Sequence, residues 1–514
     1  MTSMESPERS RASCVAVLVG AHAAAYGVFA FRLGFYHDDW AILGLLHGAG
    51  FWGGVQAFAA SNFYWARPMQ MLQFPALFAL GGMHPWFYQL VLLLLSSVES
   101  CLLFLLLERL TRSRRLALTA AALSALYPGA FIEHIWLSNS SQVLTNVLSL
   151  AAMLLHLDWI ETGARRRLVL GQGLYLLGGL FYESCFFAPL LLAGGLSAAR
   201  VRDGWSWRRA LARTALEMLP FGLTLAAVVG WQWAGVRLVP GGCNPKSAEW
   251  SFSWTHFLRA YGAGFECLTN RVVHAAALTL RGACREFGLG RWLAWGAASA
   301  ALWAALVDGS VGGDAPAKMR TAAGAGLGAF VGGYLPYAVH SAYLPQMFGI
   351  MSRTNGCGAW AAGILLACLL HALRRAGGTG FRRWSGAALA LVLGAFLWTD
   401  WQFARQWAEA WRIQREVLAE CVRRAPALPQ GSTVLLADFD HVHGWAIVFD
   451  APYEFRNALR ISTGRKDLVG RLAGTEEEKP PAGSSAAVRP GYVFRYAAGE
   501  FSELPPGRGL KPAP

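Results

Sequence analysis

Charge is scarce in this 514-residue chain: Asp, Glu, Lys and Arg make up 15% of it, against 55% hydrophobic residues and a mean hydropathy of +0.35. Water-soluble domains carry about 25% charged residues. So long a chain with so few charges cannot solvate its surface, which excludes a soluble enzyme or binding module and puts the bulk of it in a bilayer. A paired-cysteine framework is missing too. The nine cysteines are scattered, odd in number and without C-x-x-C spacing, which excludes a disulfide-stapled scaffold and a zinc ribbon. Cys243, Cys267 and Cys284 share one segment predicted outside the membrane, so a pair among them stays open beside the reading as single buried thiols. No Gly-rich run has the strand and Lys-Ser/Thr context of a phosphate loop; Gly324 to Gly333 reads as small residues packing membrane helices. No internal repeat is evident, which disfavours transporters built from repeated halves. Nor does a small-residue cleavage site follow the first apolar run, Cys14 to Phe31, so that run reads as a retained membrane helix and not a signal peptide.

What is present is a series of long apolar runs. About 20 apolar residues cross the hydrocarbon core. Further candidates lie near residues 70–107, 116–135, 142–160, 168–182, 185–199, 214–236, 291–307, 321–339, 357–373 and 385–402. The sum is an all-α polytopic membrane protein with about eleven transmembrane helices. The stretch 70–107 is too long for one straight helix, and Pro75 and the Gly81-Gly82 break predict that its first part lies partly in the interface.

Formal net charge is +14, which raises nucleic acid as a partner, but the charges sit in short clusters between apolar runs and read as topology signals, so no nucleic acid is expected. The segments 108–115, 161–167, 200–213, 308–320 and 374–383 carry 18 Lys or Arg between them, whereas the loops at 34–66, 134–141 and 182–184 carry none and 340–356 carries only Arg353. By the positive-inside rule the basic set and the N-terminus are cytoplasmic in a multi-pass cell-membrane protein, and the alternate loops are external. The external segment 237–285 has six basic residues but is long enough for the rule to weaken. This divides the chain into a transmembrane domain, 1–402, with its external first loop at 34–66, and a small external α+β domain, 403–514. In the latter, 403–424 has helical spacing, Val434 to Ala437 reads as a strand, and the tail from about 475 is flexible.

Chemistry points to Phe35-Tyr36-His37-Asp38-Asp39-Trp40, just outside the first span. Two adjacent carboxylates at a membrane surface repel one another and gain nothing from lipid, which suits a proton-accepting or metal-binding role. The competing reading is a helix N-cap, Asp38 or Asp39 capping an interfacial helix that starts at Trp40. Both readings stand on these residues alone, and the sequence orients neither carboxylate; a slight preference falls on Asp39 as the base. On the same side lie Glu133-His134 and the short turn Tyr182-Glu183, so with His37 they are expected to line one cavity. His134 reads equally as an interface histidine, and Glu183 as a carboxylate too costly in apolar sequence to be there without use. Arg67 by itself reads as a snorkelling interface arginine, and His84 before Pro85 as structural. In the outer domain, Asp438-Phe439-Asp440-His441-Val442-His443 looks like a metal cluster, but strand alternation splits its ligands between two faces, so no metal is assigned there.

The external Asp pair, the aromatic-rich loop Trp40 to Trp65, Ala66-Arg67-Pro68, and Gly82-Met83-His84-Pro85-Trp86-Phe87-Tyr88, in that order, resemble the GT-C membrane glycosyltransferases. Within them the similarity is greatest to bacterial relatives of the protein O-mannosyltransferases and the lipid A aminoarabinose transferase. The resemblance covers about the first 200 residues by motif and the remainder by layout. It implies a GT-C type fold and transfer of a sugar, outside the membrane, from a polyprenyl-phosphate carrier to a glycan, lipid or protein acceptor. Carried onto this chain, Asp38 or Asp39 is the base and Arg67 holds the donor phosphate. Related transferases often have Lys-Glu where this chain has Tyr182-Glu183, and Arg353 is then the cation expected to compensate. The resemblance leaves room for a divalent cation as cofactor. The alternative is a non-catalytic lipid-linked sugar translocator or envelope-glycan assembly protein, which would need a polar path through spans that carry few ionisable residues.

Overall fold

The structure, a computed structural model, describes residues 10–61, 64–238, 252–286, 295–297, 299–300, 316–340, 343–376, 379–437, 439–473, 492–497 and 500–504. Among these, seven helices are long and apolar enough to cross a membrane: Arg11–Phe29, Pro85–Thr111, Leu137–Thr162, Glu183–Arg202, Trp207–Gly235, Ile350–Ala376 and Gly386–Ala427. The pair Arg114–Ala125 and Pro128–His134, bent by 70°, makes an eighth if it is one span. Helices Arg165–Phe181 and Pro316–Ala338 pack into the same bundle, the first against Ser140–Thr162 and the second against Pro189–Arg202 and Gly356–Ala376. The chain is a polytopic helical membrane protein with a small α+β domain at its C-terminal end. Most of the span expected at 291–307 lies outside the described residues, as do Cys243, Asp438 and the tail segments 474–491 and 505–514.

Helix ends fall where backbone chemistry puts them. The apolar stretch 70–107 divides at the glycine pair: helix Gln70–Gly81 stops, Gly82 takes φ 51°, and Pro85 opens helix Pro85–Thr111. At 12 residues the first piece is too short to span. It joins Asp38–Leu46 and Gly50–Ala60 in an outer layer around Phe58, Tyr64, Met71 and Phe74. The opposite outcome holds near the C-terminus. The last apolar run and the aromatic, charged segment after it form one helix, Thr379–Arg424, so the boundary placed at 402 falls inside a continuous 46-residue rod.

Small residues set the closest helix approach. A side chain at Gly324, Gly328 or Gly332 would run into the backbone of Pro189–Arg202 or of the turn before it, the small-residue packing expected for this run.

In the C-terminal domain Thr433–Ala437 is the central strand, parallel both to Val469–Leu472 and to Tyr492–Ala497, and Glu500–Leu504 adds an antiparallel edge. A parallel pair needs a crossover, and helix Pro452–Thr463 supplies it, burying Phe455, Ala458 and Leu459. The same helix packs against Asp38–Leu46, which ties the domain to the segment that follows the first span.

The two ends of the bundle differ in charge. Along helix Pro85–Thr111, Tyr88 meets Phe35 at one end, and about 30 Å further on Glu108 pairs with both Arg11 and Arg114. Nearby, Arg109 pairs with Asp158 and Glu161, Arg167 with Asp158, and Arg202 donates to the Leu110 carbonyl. The basic loops therefore gather at the end away from the Asp pair.

Candidate active site

The site begins with a tight turn. Asp39 N–H donates to the Tyr36 carbonyl at 3.0 Å, and His37 between them has φ 48° and ψ −120°, the first central position of a type II′ turn, where glycine is the unstrained choice. Holding a histidine there costs about 1–3 kcal/mol. The surroundings enforce it: Trp136 Nε1 donates to the Tyr36 carbonyl at 3.0 Å, and the Tyr36 hydroxyl donates to the Trp407 carbonyl at 2.8 Å. The His37 ring packs edge-on against Trp136 and Tyr453.

This turn gives the two aspartates different lives. Asp39 is fully buried; its Oδ2 accepts from Tyr36 N–H at 3.0 Å, and its Oδ1 from Ser138 N–H at 2.8 Å and the Ser138 hydroxyl at 2.6 Å. Burial pushes its carboxyl up to about 7 against the pull of those donors. Asp38 instead keeps 44% of its side-chain surface accessible. Its Oδ1 lies 3.0 Å from His37 Nδ1 and accepts from the Tyr453 hydroxyl at 2.8 Å. Burial alone would raise Asp38, but the His37 hydrogen bond and charge, the Arg353 charge and the Tyr453 hydroxyl hold it down at about 2. The capping expectation fails in detail. The N-cap of helix Asp38–Leu46 is His37, without a side-chain capping bond, and both aspartates lie inside the first turn. There the helix dipole favours their negative charge. The slight preference for Asp39 as base is likewise at odds with its burial, since both its oxygens are already engaged.

Behind His37 stands Glu454, wholly buried, with Oε1 3.8 Å from His37 Nε2 and Oε2 accepting from Asp450 N–H at 3.1 Å. Burial pushes its carboxyl up to about 8. For His37, burial works downward, but the hydrogen bond and charge of Asp38 and the charge of Glu454 outweigh it and raise the ring above its ordinary value.

Two arginines complete the site. Arg67, in the turn before helix Gln70–Gly81, forks onto Glu183: its Nε donates to Oε2 at 2.8 Å and its second nitrogen to Oε1. Its guanidinium also lies 4.2 Å over the Tyr182 ring. The backbone is stitched at the same place, Met69 N–H donating to the Leu180 carbonyl and Gln70 Nε2 to that of Phe181. Arg353 is different. It sits 5.2 Å from the Trp136 ring centre and 5.6 Å from that of Tyr343, and among the described residues no carboxylate reaches ion-pair distance of it. These groups share one region: Asp38 feels Arg353, Tyr182 feels Arg67 and Arg353, and Tyr64 feels Asp38 and Arg67.

Not every expected residue belongs to it. Glu133 is buried one layer behind, bonded by Gln142 Nε2, which also donates to the Arg353 carbonyl at 2.8 Å. His134 faces the bundle interior, where its Nδ1 is 2.8 Å from the Ser96 hydroxyl and its ring stacks near Tyr26 and His22. The bundle holds more ionisable groups than its apolar runs promised, Glu99 and Asp400 among them, but they have local partners: Glu99 takes Asn146 and Trp360, and Asp400 takes Tyr26. Among the described residues no three His, Cys, Asp or Glu side chains are grouped to hold a metal. Asp38 is paired with His37 and faces the Arg353 charge, and the nearby Asp39 and Glu454 carboxylates are buried, so these residues are poorly suited to a divalent cation. In the C-terminal domain both ring nitrogens of His441 lie against backbone carbonyls, those of Phe449 and Ala473.

Tyr453, Glu454, Trp136 and Ser138 are the site residues that sequence reading missed. The first two arrive from a helix over 400 positions away, and nothing in Pro452-Tyr453-Glu454 marks them beyond an ordinary helix start.

No family model matches the chain, and no curated protein matches it in sequence. Among solved structures, the crystal structure of ArnT from Cupriavidus metallidurans bound to undecaprenyl phosphate is similar to it with 12% sequence identity and a TM-score of 0.44, over 90% of this chain and 86% of that one.

Proposed function

We propose that the chain is a glycosyltransferase of the GT-C kind that moves a sugar from a polyprenyl-phosphate carrier to an acceptor hydroxyl on the outer side of the membrane. The observation that carries the proposal is Arg353, a cation without a carboxylate partner among the described residues, placed near the accessible and ionised Asp38. A half-buried guanidinium left uncompensated is costly unless an anion arrives to pair with it, and a phosphate matches its planar fork.

In the reaction, Asp38 takes the proton of the acceptor hydroxyl while that oxygen bonds to the sugar's anomeric carbon and the carbon–phosphate-oxygen bond breaks. The bonding pair leaves on the phosphate, which gains one negative charge as it goes. A fixed cation therefore attracts the phosphate more in the transition state than in the bound donor, which is what accelerates a reaction. Arg67 is already satisfied by Glu183, so its part is to fix the Tyr182-Glu183 turn and add to the positive field, and Arg353 is the direct phosphate ligand. With Asp39 buried and bonded through both oxygens and Glu183 held by Arg67, Asp38 is the accessible, uncommitted carboxylate among the described residues of the site, which suits a single displacement with inversion at the anomeric carbon. The outer placement rests on the basic loops gathered at the far end of the bundle.

The test is binding of polyprenyl phosphate to the full chain in nanodiscs, followed by transfer from a polyprenyl-phosphate sugar. The wild type is expected to bind, and Arg353→Gln to bind at least tenfold more weakly. A wild-type protein that binds no polyprenyl phosphate would sink the reading.

A further inference from the structure

Near the turns that carry Glu183 and Arg353, the Sγ atoms of Cys185 and Cys357 lie 3.0 Å apart, both buried, on segments separated by 172 positions. Each ends a short path from a site residue. Cys185 closes the turn that Glu183 opens, and Cys357 stands in the first turn of helix Gly356–Ala376, four positions after Arg353. The Cys185 thiol donates to Asn146 Oδ1 at 2.6 Å, and helix Pro316–Ala338 presses on Cys357 so closely that a side chain at Gly333 would meet its Cβ at 3.1 Å.

We infer that Cys185 and Cys357 are joined as a disulfide in the mature protein, bracing the turn that carries Glu183 against the one that carries Arg353. Only about 1 Å separates the present contact from a bonded sulfur pair. Formation breaks two S–H bonds and makes one S–S bond. The two electrons and two protons pass to an external disulfide, of an oxidase or a small molecule, which is reduced to two thiols. That reaction belongs to the oxidising compartment outside the membrane, so the inference rests on the outer placement of the site in the proposed function. Closing a loop this long also removes freedom from the unfolded chain, and the loop contains the whole stretch between the two turns.

The test uses the full chain, expressed with an oxidising envelope, alkylated with N-ethylmaleimide during lysis and again after denaturation, and digested for mass spectrometry. The expected result is a linked peptide pair holding Cys185 and Cys357, lighter by two hydrogens than the free peptides and lost on reduction, while Cys185→Ser leaves Cys357 fully alkylated. Complete alkylation of both wild-type cysteines without reductant would overturn the inference, and so would a bond from either one to another cysteine, such as Cys243 or Cys284. The readout needs no turnover. Active transfer with free thiols therefore defeats only the disulfide, and a disulfide in a protein that neither binds nor transfers defeats only the proposed function.

Discussion

The Tyr453 hydroxyl donates to Asp38 Oδ1 at 2.8 Å across 415 positions of sequence. The C-terminal domain thereby completes the site around Asp38, and the contact is braced on both sides. Helix Pro452–Thr463 lies on helix Asp38–Leu46 closely enough that a side chain at Gly44 would strike Asn457. Gln414 bridges Trp40 Nε1 and the Val448 carbonyl.

This contact sets a pH dependence. The hydroxyl stabilises the charged form of Asp38, so Tyr453→Phe removes one of the interactions that hold the carboxyl at about 2. The acid limb of the transfer rate should move to higher pH by about one unit or less, with the rate near neutral pH little changed. A pH–rate profile whose acid limb stays in place would show that Tyr453 does not act on the base.

The two aspartates should separate cleanly. Asp38→Asn still accepts from Tyr453 but takes no proton, so transfer should fall on the order of a hundredfold or more, with a smaller loss of melting temperature as the half-exposed pairing with His37 goes. In Asp39→Asn one carboxylate oxygen becomes a donor facing a donor, which should cost about 1–3 kcal/mol of stability. Turnover assays and thermal melts on both variants decide it. Near-normal transfer by Asp38→Asn would place the base elsewhere.

The adjacency of Asp38 and Asp39, the apolar runs and the basic bias were legible because each is local: a motif, a length or a charge count. The break at Gly81-Gly82 and the strand near 434–437 were legible for the same reason. Which aspartate faces solvent was not, because it depends on His37 adopting a positive φ and on Ser138 arriving from a distant helix end. Arg67 and Glu183 were each singled out, but their pairing follows from the packing of Gln70–Gly81 beside the Phe181 turn and leaves no trace in spacing. Tyr453 was out of reach altogether, since a tyrosine in the first turn of a surface helix carries no signal until the domain is docked.

The arginines should fail in different ways. Arg353→Lys keeps charge but loses the planar fork, so kcat should fall together with a rise in KM for the donor. Arg67→Lys breaks the two-pronged hold on Glu183 and should loosen the Tyr182-Glu183 turn, visible as a lower melting temperature along with lower transfer. Steady-state kinetics with varied donor, paired with thermal melts, test both. An Arg353→Lys enzyme with unaltered kcat and donor KM would remove the direct phosphate contact from the scheme.

Stability should fall as pH rises. Glu454 is held well above its unfolded value, at about 8, by burial. A group raised in this way contributes stability that is fully present below the unfolded value, about 4.3, and is lost as pH rises through the folded one. His37, also raised, has the same sign. The wild-type melting temperature should therefore decline from pH 5 to 8.5, by the equivalent of about 5 kcal/mol on the order-of-magnitude scale of such shifts. Glu454→Gln should flatten the decline, and equal slopes in wild type and variant would contradict it.

His37 offers the sharpest separation of stability from activity. Its φ of 48° sits where glycine is unstrained, so His37→Gly relieves about 1–3 kcal/mol of backbone strain. It gives up the ring's hydrogen bond to the charged Asp38, about 1.5–3 kcal/mol before discounting for its exposure, and the contact with Tyr453, about 1 kcal/mol. The two sums nearly cancel, and the variant should melt no more than a few degrees from the wild type. Transfer at low pH should fall regardless, because the ring that helps hold Asp38 ionised is gone and the carboxyl rises toward the ordinary range, while the rate near neutral pH changes little. The acid limb should therefore shift upward by more than in Tyr453→Phe, since His37 acts on Asp38 through both a hydrogen bond and a charge. If His37→Gly proved as active as the wild type with an unshifted acid limb, the strained histidine would be an accident of the turn and not part of the chemistry.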